Sequence, residues 1–117
     1  MRRDLKMRRG KEIAQGSHAS MAFLTHNLKK CLEEQTDLSE AAVDWLASSF
    51  RKITCKVDSE EALISVFDAA RAAGLEVHLI TDSGATEFHG VPTRTCLAIG
   101  PDYDDVIDAV TKDLVLY

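Results

Sequence analysis

The sequence predicts an α/β fold: a single compact three-layer domain over residues 1–117, with a mixed four-stranded sheet flanked by helices. Two observations predict it. Segments with apolar residues at helical spacing alternate with short strand-like runs, and no repeat or low-complexity segment interrupts them. The chain has 117 residues, of which 45% are hydrophobic, and this suits one compact domain with a modest core.

In the first half of the chain, the sequence pattern predicts a strand, two helices and an edge strand. Residues 1–5 form a short first strand, and helices follow over about 11–34 and about 39–51. The stripe expected to face the core in the first helix is Ala14, Met21, Leu24, Leu28 and Cys31. The stripe expected in the second helix is Val43, Leu46, Ala47 and Phe50, with Trp45 beside it and partly buried. Alternating apolar and polar residues over 52–57 predict a half-exposed strand near a sheet edge.

A third helix follows this strand, with Asp58 as its expected N-cap and Gly74 at its C-terminal end. The apolar side of this helix is formed by Leu63, Ile64, Phe67, Ala70 and Ala73. Residues 77–80 then predict a buried strand.

The last quarter of the chain contains a long link, a strand, a helix and a final segment. A link of thirteen residues separates Asp82 from the strand predicted over 96–99, and links of this length are often functional. Residues 102–111 predict a helix with acidic residues at its start. Residues 114–117 are expected to close or cover the sheet.

The charge of the chain is distributed unevenly. The formal net charge is −5, but residues 1–11 contain six basic residues and one acidic residue, whereas the remainder carries −10. This distribution suits a protein that binds a polyanion at one place, with modest and salt-sensitive affinity. A solvated basic end is the alternative interpretation.

Neither a membrane segment nor a metal site is expected. No apolar run reaches the roughly 18 residues that a membrane span needs, and the N-terminus is charged where a signal peptide is apolar. We therefore expect a soluble, cytoplasmic protein without a membrane partner. The three cysteines, Cys31, Cys55 and Cys96, lack C-x-x-C spacing, and the histidines show no paired spacing with acidic residues or cysteines.

Two loops are expected to meet at the end of the sheet where ligands of α/β proteins bind. One contains residues 6–11 and the other begins at Asp82. Lys11, Gln15 and His18 share one face of the first helix at i, i+4 and i+7. A carboxylate opposite Lys11 in a partly dry cleft would orient a water molecule and stabilise the charge that its attack creates.

The start of the first helix is the expected anion site. Exposed amides at a helix start favour anions, so Arg8, Arg9 and Lys11 would hold a phosphate or a developing oxyanion there.

Ser17 and His18 are neighbours on the helix and cannot face each other, so a local nucleophile pair is not expected.

Four motifs in register resemble the peptidyl-tRNA hydrolase 2 family. They are Asp4-Leu5-x-Met7-x-x-Gly10-Lys11-x-x-Ala14-Gln15-x-Ser17-His18-Ala19, Asp82-x-Gly84-x-Thr86, Thr95-x-Leu97-Ala98-Ile99-Gly100-Pro101 and Val110-Thr111-x-x-Leu114-x-Leu116-Tyr117. The resemblance implies a small α/β enzyme that cleaves the ester joining a peptide to tRNA by activated water. It also implies that the enzyme uses neither a metal nor a covalent cofactor, and that a homodimer is possible.

The resemblance also implies a set of site residues. The positions that match the site of the family are Lys6, Lys11, Gln15, His18, Asp82, Thr86 and Thr95. We hypothesise that Asp82 and Thr86 position the water, that Lys11 stabilises the oxyanion or a nearby phosphate, and that Gln15 orients the scissile end. The residues expected to bind the rest of the substrate are Lys6, Arg8, Arg9, His18 and Thr95. From the residues alone, a structural role for His18 is favoured over a catalytic one.

Three departures from the family pattern keep other functions open. The strand before Asp4 is short, Ala85 replaces a common basic residue, and residues 87–93 replace a shorter linker. Glu87 and His89 in that linker either narrow specificity or are solvated. One alternative is a catalytically idle paralogue that binds RNA or a protein partner through the basic N-terminal loop. The other is hydrolysis of a different acyl ester or amide.

Overall fold

A computed structural model describes residues 1–34 and 37–117, and within them it contains four α-helices and four β-strands. In chain order these are α1 (Arg9–Glu34), α2 (Glu40–Ala47), β1 (Cys55–Lys56), α3 (Glu60–Ala72), β2 (Val77–Asp82), β3 (Thr93–Ile99), α4 (Asp104–Thr111) and β4 (Val115–Leu116). The predicted α/β class and the predicted order of helices and later strands are confirmed.

The four strands form two antiparallel pairs that the N-terminal residues join. β2 pairs with β3, and β1 pairs with β4, as expected for a C-terminal segment that closes the sheet. Arg2 forms a parallel bridge with Val57, and its N–H donates to the carbonyl of Thr95 in β3 (3.0 Å). The strand predicted over 1–5 is therefore reduced to one bridge, and this bridge gives the sheet its mixed character.

Helices cover the β2–β3 pair. α1 and α3 each pack against both strands, and α4 packs against α3. Among the described residues, α1 and α3 share few contacts at most, as a three-layer arrangement with one helix on each face of the pair requires. None of the helices in the described part of the chain is both long and apolar enough to span a bilayer.

The predicted core face of α1 is wrong. The buried residues of this helix are Gln15, Ala19 and Phe23. The predicted stripe lies on the other side, where Met21 is 52% and Leu28 is 60% exposed. The reason is that the buried side carries a polar glutamine and a small alanine, so hydrophobicity alone points to the wrong face.

The predicted stripe of α2 is wrong for a similar reason. Its buried residues are Ala41 and Ala42, whose small side chains allow close packing. The residues of the predicted stripe are exposed, namely Val43, Leu46, Ala47 and Phe50. Trp45 is half-buried as expected, and its ring lies edge-on to that of Phe23, with the centroids 6.1 Å apart.

The ends of several elements differ from the prediction. The N-cap of α3 is Ser59, not Asp58, because the Ser59 hydroxyl accepts from the N–H of Ala62 (3.0 Å). Gly74 ends α3 as predicted, with φ +75° and its N–H on the carbonyl of Arg71 (3.0 Å). Both β2 and β3 are longer than predicted, and because β3 begins at Thr93 rather than at residue 96, the link after Asp82 has ten residues, 83–92, rather than thirteen.

Candidate active site

Lys11 and Asp82 form an ion pair at the centre of the candidate site. Lys11 lies in the first turn of α1 and Asp82 is the last residue of β2. The Lys11 Nζ atom donates to Asp82 Oδ1 at 2.7 Å, and the two side chains are only 14% and 12% exposed. The structure thus brings together the cation and the carboxylate that the sequence analysis placed on two separate loops.

Two further donors bind the Asp82 carboxylate. Gln15 Nε2 donates to Oδ1 (3.1 Å), and the Gly84 N–H donates to Oδ2 (2.8 Å). The hydrogen bond from Lys11 is the main cause that lowers the pKa of Asp82 below its ordinary value of 3.8, and Gly84 and Gln15 add to it. Asp82 is therefore an anion at neutral pH. A carboxylate has about four acceptor positions, so one remains for a water molecule.

The Lys11 ammonium also contacts two residues of the link between β2 and β3. It donates to the hydroxyl oxygen of Thr86 (3.1 Å), and it lies 5.6 Å from the centroid of the Phe88 ring. A cation at this distance from an aromatic face is attracted to it. Asp82, Thr86 and Phe88 together therefore fix the position of the Lys11 ammonium group.

Gln15 and Thr95 lie beneath Asp82 and are almost completely buried, with exposures of 1% and 0%. The Thr95 hydroxyl donates to Gln15 Oε1, and the amide nitrogen of Gln15 donates to Asp82. From the sequence, both residues are expected to contact the substrate. In the structure both are buried next to the carboxylate, in a chain of hydrogen bonds that runs from Thr95 through Gln15 to Asp82.

A β-bulge in β3 makes this chain of hydrogen bonds possible. Ile80 pairs with Cys96 and Thr81 pairs with Arg94, so Thr95 is the extra residue. The Cys96 thiol contacts the carbonyl of Gln15 (3.3 Å), and the neighbouring Thr95 hydroxyl contacts the side chain of the same residue. In a regular strand the side chains of Thr95 and Cys96 would point to opposite faces of the sheet, so the bulge is what lets both contact Gln15.

Gly84 allows the turn after Asp82. It has φ +83°, in the region that glycine tolerates best, and a Cβ atom built on it would lie 2.1 Å from the carbonyl oxygen of Val91. Gly84 belongs to the second sequence motif, but its role there could not be predicted from the sequence. The structure shows that it supplies an amide to Asp82 in a conformation that a side chain would block.

Most of the N-terminal basic residues already have acidic partners. Arg2 pairs with Asp4 and Glu60, Arg3 with Glu12, and Lys11 with Asp82. Two exposed basic residues of segment 1–11, Lys6 and Arg9, have no ion-pair partner within the described residues. The net charge of this segment therefore overstates the charge that a polyanion would meet.

Arg8 pairs with Glu87, a contact that the sequence analysis missed. The Arg8 Nε atom donates to Glu87 Oε1 (2.7 Å), and the Arg8 backbone N–H lies 3.3 Å from Oε2. Glu87 is only 14% exposed, and the hydrogen bond from Arg8 is the main cause that lowers its pKa. Of the two interpretations left open for Glu87, simple solvation is wrong. No local pattern predicts a contact between residues 79 positions apart.

His18 and His89 lie at the surface. Both are exposed, and among the described residues neither forms a hydrogen bond or ion pair with the Lys11–Asp82 pair. Residues 1–34 and 37–117 also contain no group of three or more His, Cys, Asp or Glu side chains arranged to hold a metal ion.

The stability of the protein should depend on the ionisation of Asp82. Because its pKa is lowered in the folded state, Asp82 stabilises the fold above its ordinary pKa of 3.8, and this contribution is lost as the pH falls through the folded value. Urea unfolding between about pH 6 and pH 3 is therefore expected to show a steeper loss of stability for the wild type than for Asp82→Asn. Equal pH slopes would contradict the lowered pKa of Asp82 in the folded state.

An ion-paired lysine and aspartate beside a threonine hydroxyl, at one edge of a small α/β domain, suit the hydrolysis of an acyl bond by water. Comparison with known proteins gives the family. The model of the family described as "Peptidyl-tRNA hydrolase PTH2" matches residues 1–117, and the chain belongs to this family.

Several relatives carry the name peptidyl-tRNA hydrolase. The chain is 38% identical to the protein of Methanocaldococcus jannaschii, over 99% of this chain and 94% of the relative. It is 38% identical to that of Methanopyrus kandleri, over 99% and 92%. It is 35% identical to that of Metallosphaera sedula, over 99% and 94%.

Proposed function

We propose that the protein hydrolyses the ester bond between tRNA and a peptide or N-blocked aminoacyl group, and so recycles the tRNA. In this proposal the reaction proceeds by activated water without a metal. The observation that carries the proposal is the partly buried Lys11–Asp82 ion pair with Thr86 beside it, in a chain that matches the family over its whole length.

Each residue of the pair has a separate task in this mechanism. Ester hydrolysis needs a positioned water and stabilisation of the negative charge on the carbonyl oxygen. The free acceptor position of Asp82 and the hydroxyl of Thr86 hold the water, and Lys11 stabilises the oxyanion. The water oxygen bonds to the carbonyl carbon, the bond from that carbon to the ribose oxygen breaks, and the proton that the water releases ends on the ribose oxygen. The lowered pKa of Asp82 makes it a weak base, which favours orientation of the water over strong proton abstraction.

Gln15 and Thr95 act through Asp82 in this proposal. Their burial supports a positioning role, because neither has surface with which to contact a substrate. Gln15 therefore orients the carboxylate rather than the scissile end of the substrate, and Thr95 fixes the amide of Gln15.

The tRNA backbone binds next to the start of α1. Lys6 and Arg9 are exposed, without an acidic partner among the described residues, and lie in the same segment as Lys11. Contacts of this kind read phosphate rather than base sequence, and this suits an enzyme that acts on many tRNAs.

Lys6→Ala and Arg9→Ala are each expected to lessen the salt dependence of tRNA binding. Each phosphate contact contributes about 0.7–0.9 to the slope of log K against log salt concentration, so each variant should reduce the slope by about that amount. The measurement is a titration with bulk tRNA at several salt concentrations. Lys112→Ala, at an exposed lysine after α4, is the control. An unchanged slope in both test variants would remove these residues from the binding surface.

The proposed function is tested by the release of N-acetyl-aminoacyl groups from bulk tRNA at low salt. Multiple turnovers are expected. Binding without cleavage would make the protein a catalytically idle paralogue. Cleavage of a small neutral ester that is insensitive to salt, without cleavage of the tRNA ester, would instead make it a hydrolase of another acyl compound.

Self-association stays a prediction from the family resemblance. Sedimentation over a range of protein concentrations distinguishes a homodimer from a monomer. A single species with the 12.9 kDa mass of one chain at all concentrations would overturn it.

A further inference from the structure

The ten residues between β2 and β3, 83–92, form a segment that we call the rim. Three consecutive rim residues contact the start of α1. Thr86 accepts from Lys11 (3.1 Å), Glu87 binds Arg8 (2.7 Å), and the Phe88 ring lies beside Lys11 (5.6 Å from Nζ to the centroid). The rim therefore forms one side of the candidate site and α1 forms the other.

The rim is held together by its own backbone. The carbonyl of Gly84 accepts from the N–H groups of Phe88 (3.2 Å) and Gly90 (3.0 Å), and the carbonyl of Phe88 accepts from Val91 (2.9 Å). These bonds fold the rim on itself and do not join it to α1. Its distance from α1 therefore depends on the contacts that cross between them.

The Glu87–Arg8 contact is the shortest of these crossing contacts, at 2.7 Å. It joins opposite charges, and the Glu87 carboxylate faces both the side chain and the backbone N–H of Arg8. Charge-assisted hydrogen bonds of this kind are roughly twice as strong as neutral ones. Glu87 is 14% exposed whereas Arg8 is 80% exposed, so the carboxylate is enclosed and the guanidinium is not.

We propose that Glu87 is a positioning residue. Its ion pair with Arg8, which we call the clasp, fixes the rim against the start of α1 and keeps Thr86 and Phe88 beside Lys11. The catalytic part of this inference rests on the proposed function. When the clasp opens, the tip of the rim moves away from α1, its backbone hydrogen bonds open more often, and Thr86 leaves Lys11. The water-binding position between Thr86 and Asp82 then widens, although Asp82, Lys11 and Gln15 keep their mutual contacts.

A competing role for Glu87 would give a different result when its carboxylate is removed. If the carboxylate only occupies Arg8 and keeps it from tRNA phosphates, its loss would strengthen tRNA binding. Such an effect would appear in KM for tRNA and be absent for a substrate without the tRNA backbone. A clasp instead affects the chemical step for both substrates.

The test compares Glu87→Gln with the wild type on two substrates, N-acetyl-aminoacyl-tRNA and the N-acetyl-aminoacyl ester of adenosine. Glutamine keeps the size of the side chain and removes its charge. We expect kcat to fall about tenfold for both substrates, with KM changed less than about twofold, because a displaced positioning group costs rate more than binding. Asp104→Asn is the matched control, since Asp104 forms an exposed ion pair with Arg51 (3.2 Å). It should leave both parameters unchanged.

Two kinetic outcomes overturn the inference. A lower KM for the tRNA substrate alone would assign Glu87 the competing role, and unchanged kinetics on both substrates would show that the clasp does not position the site. A wild type that cleaves neither substrate would contradict the proposed function instead.

In that last case, amide hydrogen exchange still tests the clasp. Exchange at Phe88, Gly90 and Val91 should be faster in Glu87→Gln than in the wild type and in Asp104→Asn, because the rim is released. Equal exchange in all three proteins would overturn the clasp.

Discussion

Replacing Lys11 by alanine is expected to lower kcat at least about a hundredfold, the scale seen when a positioned group that stabilises an oxyanion is removed. The Lys11 ammonium is enclosed by Asp82, Thr86 and Phe88, with its side chain only 14% exposed. A water molecule in its place would carry no charge. The measurement is steady-state release of N-acetyl-aminoacyl groups from bulk tRNA.

A second substitution shows whether Lys11 acts as a unit with Asp82. Because the two residues form one ion pair, Lys11→Ala and Asp82→Asn together should lower kcat much less than the product of the single effects. Lys30→Ala, at an exposed lysine near the other end of α1, is the control and should keep normal turnover. Normal turnover in Lys11→Ala would remove this lysine from the mechanism.

Replacing Gly84 by alanine is expected to lower kcat by about a hundredfold and also to lower Tm, because the turn after Asp82 must rearrange. The new Cβ would lie 2.1 Å from the carbonyl oxygen of Val91, at a backbone φ of +83°. Any shift that relieves this contact also moves the amide that donates to Asp82 Oδ2. Activity assays and thermal unfolding measure the two effects.

The same rim contains a matched control for this substitution. Gly90 also has a positive φ, +77°, but a Cβ atom there would meet no atom within 4 Å. Gly90→Ala therefore carries the backbone strain without the collision, and it should lower Tm with little change in kcat. If the two variants lose the same activity, strain in the rim rather than displacement of the Gly84 amide is the cause.

The pairing of Lys11 with Asp82 could be predicted although the two residues are 71 positions apart, because each lies in a recognisable local pattern and both patterns end where ligands of α/β proteins bind. The helical spacing of Lys11 and Gln15 put both on one face, and Asp82 followed a recognisable strand. The buried side of α1 could not be predicted in the same way. Gln15 is 1% exposed because its amide bridges Asp82 and Thr95, and a hydrophobicity pattern assigns glutamine to the surface.

The contacts of the rim also could not be predicted from the sequence. Arg8 and Glu87 are 79 positions apart, and nothing in either local segment indicates that they meet. The bulge at Thr95 is similar, since it depends on the register between β2 and β3 rather than on the composition of β3. The ion pairs of Arg2 and Arg3 with acidic residues likewise could not be predicted. They lower the positive charge that segment 1–11 presents to a polyanion.

The most direct test of the central claim is the release of N-acetyl-aminoacyl groups from bulk tRNA by the wild type and by Asp82→Asn, at low salt, with and without a chelator. We expect that wild-type cleavage survives the chelator and that Asp82→Asn is at least about a hundredfold slower in both conditions. Cleavage that the chelator abolishes, or that Asp82→Asn retains in full, would contradict hydrolysis by a water molecule held at the Lys11–Asp82 pair.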